Sequence, residues 1–363
     1  TGLTAQAFGA KNPQALARAL VQPLMLALGA GLLIILFKTP LINLALSIVG
    51  GSGEVLEQAR RFLDIRWLSA PASLANLVLL GWLLGVQYAR APVVLLVVGN
   101  VLNIVLDLWL VMGLHMNVQG AALATAIAEY ATLLVGLGMA RKVLVMRGIS
   151  WAMLKTAWQG DFRRLLALNR DIMLRSLLLQ LCFGAVTVFG ARLGSEVVAV
   201  NAVLMTMLTF TAYALDGFAY AVEAHSGQAY GARDGSKLLE VWRAACRQAG
   251  VVALAFALIY ALLGEHIVAL LTSLPELQQL ADRYVLWQAV LPVIGVWCYL
   301  LDGMFIGATR GAEMRNSMAV AAAGFAVTLL SVPLLGNHGL WLALAVFLAL
   351  RGLSLALIWR RHW

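Results

Sequence analysis

The chain has 363 residues, 62% of them hydrophobic and only 12% charged, with a formal net charge of +9. A soluble domain is nearer half apolar and a quarter charged, so this balance excludes an ordinary soluble enzyme or binding module. The basic residues fall in short loops between apolar runs. That placement argues against nucleic acid and for a membrane protein whose Lys and Arg set orientation.

Residues 1–8 read as the end of a membrane span. A polar hinge follows over 11–18, with Pro13 early in the next helix, where proline is tolerated. Apolar runs of about 20 residues are long enough to cross a hydrocarbon core as helices. They predict spans over 16–37, over a stretch ending near Tyr88, and over 92–112 and 120–140. Gly50-Gly-Ser-Gly53 reads as a turn, and 54–66 as an amphipathic approach. The polar stretch 141–170 marks a boundary. Beyond it, spans are expected over 171–191, 197–222, 243–263, 283–308, 315–335 and 339–358. The organisation expected is an incomplete N-terminal bundle over 1–145, a cytoplasmic linker over 146–169 and a C-terminal bundle over 170–363. The fold class is all-α and polytopic.

An internal repeat organises these spans. Gln6-Ala-Phe-Gly-Ala-Lys-Asn12 returns as Gln228-Ala-Tyr-Gly-Ala-Arg-Asp234 at an offset of 222. The same offset pairs Arg61 with Arg283, Gly81 with Gly303 and Gly85 with Gly307. A fixed offset held over about 80 residues marks a duplication. The second copy of the motif has far more matching sequence ahead of it than the first. About one and a half further helices are therefore expected ahead of residue 1, giving twelve in all, six per half. An even number per half makes the repeats parallel, related by an axis along the membrane normal. Of the 26 Lys and Arg, 18 fall in loops on one side and 6 on the other. This bias places the motif loops, the central loop and the C-terminus in the cytoplasm.

Ionisable groups at membrane depth cost roughly 2.5–3.5 kcal/mol on insertion scales, so each is a functional candidate. Asn100, Asn103 and Asp107 share one helix face at spacings of three, four and seven. A carboxylate with carboxamides can hold a proton or a small cation; the bland alternative is a polar stripe joining two helices. At offset 222 the matching residues are Ala322, Phe325 and Leu329, none of them polar, and this favours the ion. Thr125 is a further oxygen ligand and Asn76 a weaker one; Glu129 lies in the same span as Thr125. In the second half, Asp171 and Arg175, four apart, are expected to pair on one face. Asp216 and Asp302 either line a substrate cavity or make structural pairs. Tyr213 and Met205, on the span of Asp216, suit an adaptable apolar pocket or ordinary packing. The three cysteines read as small buried apolar residues. The five histidines have no metal spacing, and neither a P-loop nor a GxSxG nucleophile motif occurs. No catalytic residues and no cofactor are expected, and energy for transport would come from an ion gradient.

The paired Gln-Ala-Phe/Tyr-Gly-Ala strings, Gly-Asn-Val-Leu-Asn-Ile-Val-Leu-Asp at 99–107, Gly-Ala-Ala-Leu-Ala-Thr at 120–125 and Leu-Asp-Gly-Met-Phe-Ile-Gly-Ala-Thr-Arg at 301–310 together resemble the multidrug and toxic compound extrusion (MATE) family, in its DinF-type bacterial branch. The resemblance covers essentially the whole chain. It implies twelve helices in two six-helix bundles around a cleft. It also implies export of amphipathic, often cationic, organic compounds in exchange for H+ or Na+. In the family a cation site in the N-terminal bundle combines an Asp on the first helix with an Asn and Asp four apart and a Thr; Asn103, Asp107 and Thr125 match the last three. The first-helix Asp is not in this sequence. A monomeric protein of the bacterial inner membrane is expected, with lipid and small organic substrates as its partners. The alternative is a flippase for lipid-linked precursors, which would need a strongly cationic cavity; only Arg175 and Arg351 lie in spans.

Overall fold

In the computed structural model the described residues are 2–49, 53–88, 90–115, 117–150, 153–154 and 163–362. They are almost entirely helical. Apolar sequence in a bilayer has no water to satisfy its backbone, and a helix satisfies it internally. The expected turn at residues 50–53 lies mostly outside the described residues.

The first unit covers residues 3–162. Its helices are α1 (Gly2–Gly9), α2 (Pro13–Leu36), α3 (Lys38–Val49), α4 (Gly53–Arg66), α5 (Ala70–Gly85), α6 (Arg90–Asp107) and α7 (Asn117–Met146). A short 3-10 turn, Trp67–Ser69, joins α4 to α5, and a π-helical segment, Leu108–Gly113, prolongs α6. The core gathers Leu16, Leu20, Leu79, Trp82, Leu83 and Val143. Trp82 is 1% exposed, and its indole N–H donates to the Leu16 carbonyl at 3.0 Å.

The second unit, residues 163–363, contains α8 (Arg163–Leu193), α9 (Ser195–Gly231), α10 (Gly235–Leu271), α11 (Pro275–Asp282), α12 (Val285–Gly307), α13 (Gly311–Leu329), α14 (Val332–Leu335) and α15 (Asn337–His362). The α12 helix carries many of its buried side chains, and α9 and α15 contribute Leu204, Met207, Trp341 and Phe347. A polar clasp closes one end of the core. Asn201 and Asn337 exchange side-chain amide bonds at 2.8 and 2.9 Å, and the Trp341 indole donates to Asn201 at 3.1 Å.

The duplication is written into the backbone of each unit. Lys11 and Arg233, 222 positions apart, both adopt the left-handed conformation, at φ 54° and 57°. Each follows a helix whose terminal carbonyls are taken up by the same three bonds, Ala10 to Gln6, Lys11 to Phe8 and Asn12 to Ala7, repeated as Ala232 to Gln228, Arg233 to Tyr230 and Asp234 to Ala229. The motif then ends on the cap of the following helix. Asn12 accepts from the Ala15 N–H at 3.2 Å, and Asp234 from the Lys237 N–H at 3.1 Å. A second left-handed pair, Gln87 and Thr309, keeps the same offset. Close approach is repeated too. A Cβ on Gly85 would lie 2.6 Å from Thr4 Cβ, and one on Gly307 would lie 2.5 Å from Ser226 Oγ; Thr4 and Ser226 are again 222 apart.

Nine helical stretches among the described residues are long and apolar enough to cross a membrane. The expected span over 315–335 is not among them. Its first turns carry Glu313, Arg315 and Asn316, and α13 stops at Leu329, where Ser331 donates its side chain to the Thr328 carbonyl at 2.7 Å. The α8 helix starts at Arg163, inside the stretch expected as linker.

Candidate functional site

In the first unit α6 and α7 bring Asn103 and Thr125 together. Thr125 Oγ1 lies 3.5 Å from Asn103 Oδ1 and donates to the Ala121 carbonyl at 3.1 Å. Asp107, one turn beyond Asn103, is the last residue before the π-helical segment, whose wider turn often accompanies functional positions. Its Oδ1 is buried without a hydrogen-bond partner among the described residues. An unsatisfied buried carboxylate oxygen is costly. The chemistry available is one carboxylate, one carboxamide oxygen and one hydroxyl.

Two further residues were expected with this group. Asn100 is exposed, three residues before Asn103 on α6. Asn76, on α5, donates its amide to the Glu129 carbonyl at 3.0 Å. Nearby, a polar cluster forms around Glu129. Arg66 grips its carboxylate with both terminal nitrogens, at 2.7 and 3.0 Å, and Ser73 donates to the same carboxylate. Arg66 was expected in a loop at the end of an amphipathic helix; its partner lies 63 residues on in α7.

In the second unit a cavity of about 250 Å³ is lined by Arg175 on α8, Asp216 and Met205 on α9, Tyr299 and Asp302 on α12, and Arg351 on α15. Leu and Phe side chains complete its wall. The Asp302 Oδ2 accepts from both arginines, at 2.7 Å from Arg175 and in a short contact from Arg351. The side chains of Arg175, Asp302 and Arg351 are 14%, 10% and 6% exposed. Asp302 is thus held in a charge triad, and Asp216 lines the same cavity without a hydrogen bond or ion pair among the described residues, within electrostatic reach of Asp302 and both arginines.

The pairing expected between Asp171 and Arg175 does not form. Asp171 pairs with Arg315 of α13 at 2.5 Å, and Arg175 with Asp302. Tyr213, expected with Met205, is 72% exposed and does not line the cavity. Arg175 and Arg351 were noted in the sequence as the two basic residues within spans but were not expected at the cavity with Asp302. Among the described residues no group of three or more His, Cys, Asp or Glu is placed to hold a metal ion.

Repeated helical units with apolar stretches long enough to cross a membrane define a polytopic membrane protein. The MatE family model matches residues 1–109 and 172–336, and the chain belongs to this family of efflux transporters. It is 83% identical over its whole length to DNA damage-inducible protein F of Escherichia coli K12, and spans 79% of that protein. It is 26% identical over 335 residues to Protein DETOXIFICATION 43 of Arabidopsis thaliana, covering 91% of this chain and 62% of the relative. A shorter match, 39% over 112 residues, joins it to the Multidrug export protein MepA of Staphylococcus aureus, covering 29% of this chain and 23% of the relative. The fold is that of solved MATE structures. A point mutant of a MATE protein superposes with a TM-score of 0.84 at 21% identity, over 99% of this chain and 81% of the other. An outward-facing multidrug resistance MATE transporter gives 0.81 at 22%, over 99% and 84%.

Proposed function

We propose that the chain is the greater part of a secondary antiporter. It exports amphipathic, often cationic, organic compounds in exchange for H+ or Na+ by alternating access. Asp107, Asn103 and Thr125 supply part of the coupling-ion site. The Oδ1 of Asp107, buried without a hydrogen-bond partner among the described residues, carries this reading; Asp107 follows Asn103 by one turn on α6, and the second repeat has no polar residue at either matching position. Occupancy by an ion shifts the protein between inward- and outward-facing states by the difference in affinity between them. A small oxygen set of carboxylate, amide and hydroxyl favours H+ over Na+, which needs more ligands. The protein works in the bacterial inner membrane with its C-terminus in the cytoplasm.

The test is Asp107→Asn in the complete protein, reconstituted in vesicles, with efflux driven by an imposed pH or Na+ gradient. The proposal expects coupling to be lost while expression is kept; unchanged coupling would sink it. The flippase reading gains one observation, because the two arginines within spans meet at Asp302 in one cavity. Flipping of a fluorescent lipid in the same vesicles separates the two readings.

A further inference from the structure

The geometry points to an oxyanion subsite in the cavity of the second unit. There the free guanidinium donors of Arg175 and Arg351 take the carboxylate or phosphate head of a single-tailed amphiphile. A guanidinium carries five N–H donors in a fixed fork and commonly meets a carboxylate with two of them. Here both forks converge on one oxygen, each through a single terminal nitrogen. Arg351 is 5% exposed, and its Nε is buried without an acceptor among the described residues. Buried N–H groups are almost always bonded, so this donor set is incomplete with protein groups alone. Asp302 cancels one of the two positive charges and Asp216, across the same cavity, opposes the other, so what the site offers an oxyanion is the arginines' unused N–H donors.

The rest of the cavity fits the rest of such a molecule. Its volume, about 250 Å³, holds a head and the first part of a chain, and Phe183, Leu208 and Phe347 give the chain an apolar wall. Asp216 lines the same cavity and repels an anion. The subsite is therefore tuned by two groups of opposite effect, the arginines for an oxyanion and Asp216 against it. It lies wholly within the second unit and does not rest on the coupling-ion reading in the first.

The experiment uses three ligands with the same tail, dodecanoate, dodecyl phosphate and dodecyltrimethylammonium. Each is titrated below its micelle concentration against the complete purified protein by calorimetry. The oxyanions are expected to bind at least tenfold more tightly than the ammonium. Arg175→Gln should weaken the oxyanions at least tenfold and leave the ammonium within threefold. Asp216→Asn, which keeps both arginines, should tighten the oxyanions several-fold. Preference for dodecanoate identifies a carboxylate amphiphile, and preference for dodecyl phosphate a phosphate-headed lipid. Ammonium binding as tight as the oxyanions would overturn the inference. So would oxyanion binding indifferent to Arg175→Gln. If that variant does not fold, Asp216→Asn decides, and unchanged or weaker oxyanion binding refutes. These affinities are read at equilibrium with no ion gradient, whereas the coupling assignment is read by gradient-driven efflux, so failure here is distinguishable from failure there.

Discussion

Asp302→Asn removes the one anion shared by two buried cations, and its cost follows from the geometry. Two guanidiniums donating to a single oxygen lie about 6 Å apart. At an effective dielectric constant of about 20 their bare repulsion is about 3 kcal/mol. Loss of two charge-assisted bonds at a side chain 10% exposed brings the total into the range of about 3–5 kcal/mol seen when one partner of a buried pair is removed. Arg175→Gln costs less, about 1–2 kcal/mol, because Asp302 keeps Arg351 and Arg175 is the most exposed of the three at 14%. The double variant Asp302→Asn with Arg351→Gln deletes the repulsion as well and recovers part of the loss. Thermal unfolding of detergent-purified protein, followed by tryptophan fluorescence, gives the order of midpoints, and the double-mutant cycle gives the coupling. An Asp302→Asn midpoint no lower than that of Arg175→Gln would refute the reasoning. A double variant no more stable than Asp302→Asn alone would refute it too.

Three further perturbations test the fold. Gly307→Ala places a Cβ 2.6 Å from the Glu223 carbonyl oxygen and 3.0 Å from the Gly227 nitrogen; a loss of about 1–3 kcal/mol is expected, with Gly29→Ala, which meets nothing within 4 Å, as the near-neutral control in chemical denaturation. Asn12→Ala and Asp234→Ala each delete a helix cap, at about 1 kcal/mol, and faster amide exchange should be confined to the first turn of α2 or α10. Arg66→Gln leaves Glu129 without its two-pronged partner and should lower the unfolding midpoint, while adding Glu129→Gln should restore part of it.

The sequence made the repeat legible because its punctuation is local. A left-handed residue after a helix and a capping Asn or Asp are decided by a few neighbouring residues, so Gln6–Asn12 and Gln228–Asp234 fold alike in each unit. The apolar runs likewise revealed the helices, since length against bilayer thickness is a one-dimensional property. Charge partners were not legible. Asp171 and Arg175 are four apart on α8, yet they pair with Arg315 and Asp302 on two other helices. Spacing along one helix fixes nearness and says nothing about which neighbouring helix offers a more enclosed partner. The Arg66–Glu129 pair was hidden for the same reason. Asn103 and Thr125, 22 residues apart on adjoining helices, were named together as oxygen ligands from residue type and again by resemblance, but their 3.5 Å approach is a property of how α6 packs on α7.

The glycines of α12 have a consequence for how the second cavity adapts. Gly303 and Gly307 let α12 meet α9 at backbone distance, against Ala219 and Glu223. A joint that tight cannot slide or widen without breaking van der Waals contact along its length. Asp216 and Asp302 ride on the two sides of this joint, so their spacing works as a fixed ruler. Arg175 on α8 and Arg351 on α15 both reach this joint at Asp302, so the charged groups of the cavity are gathered onto its least yielding seam.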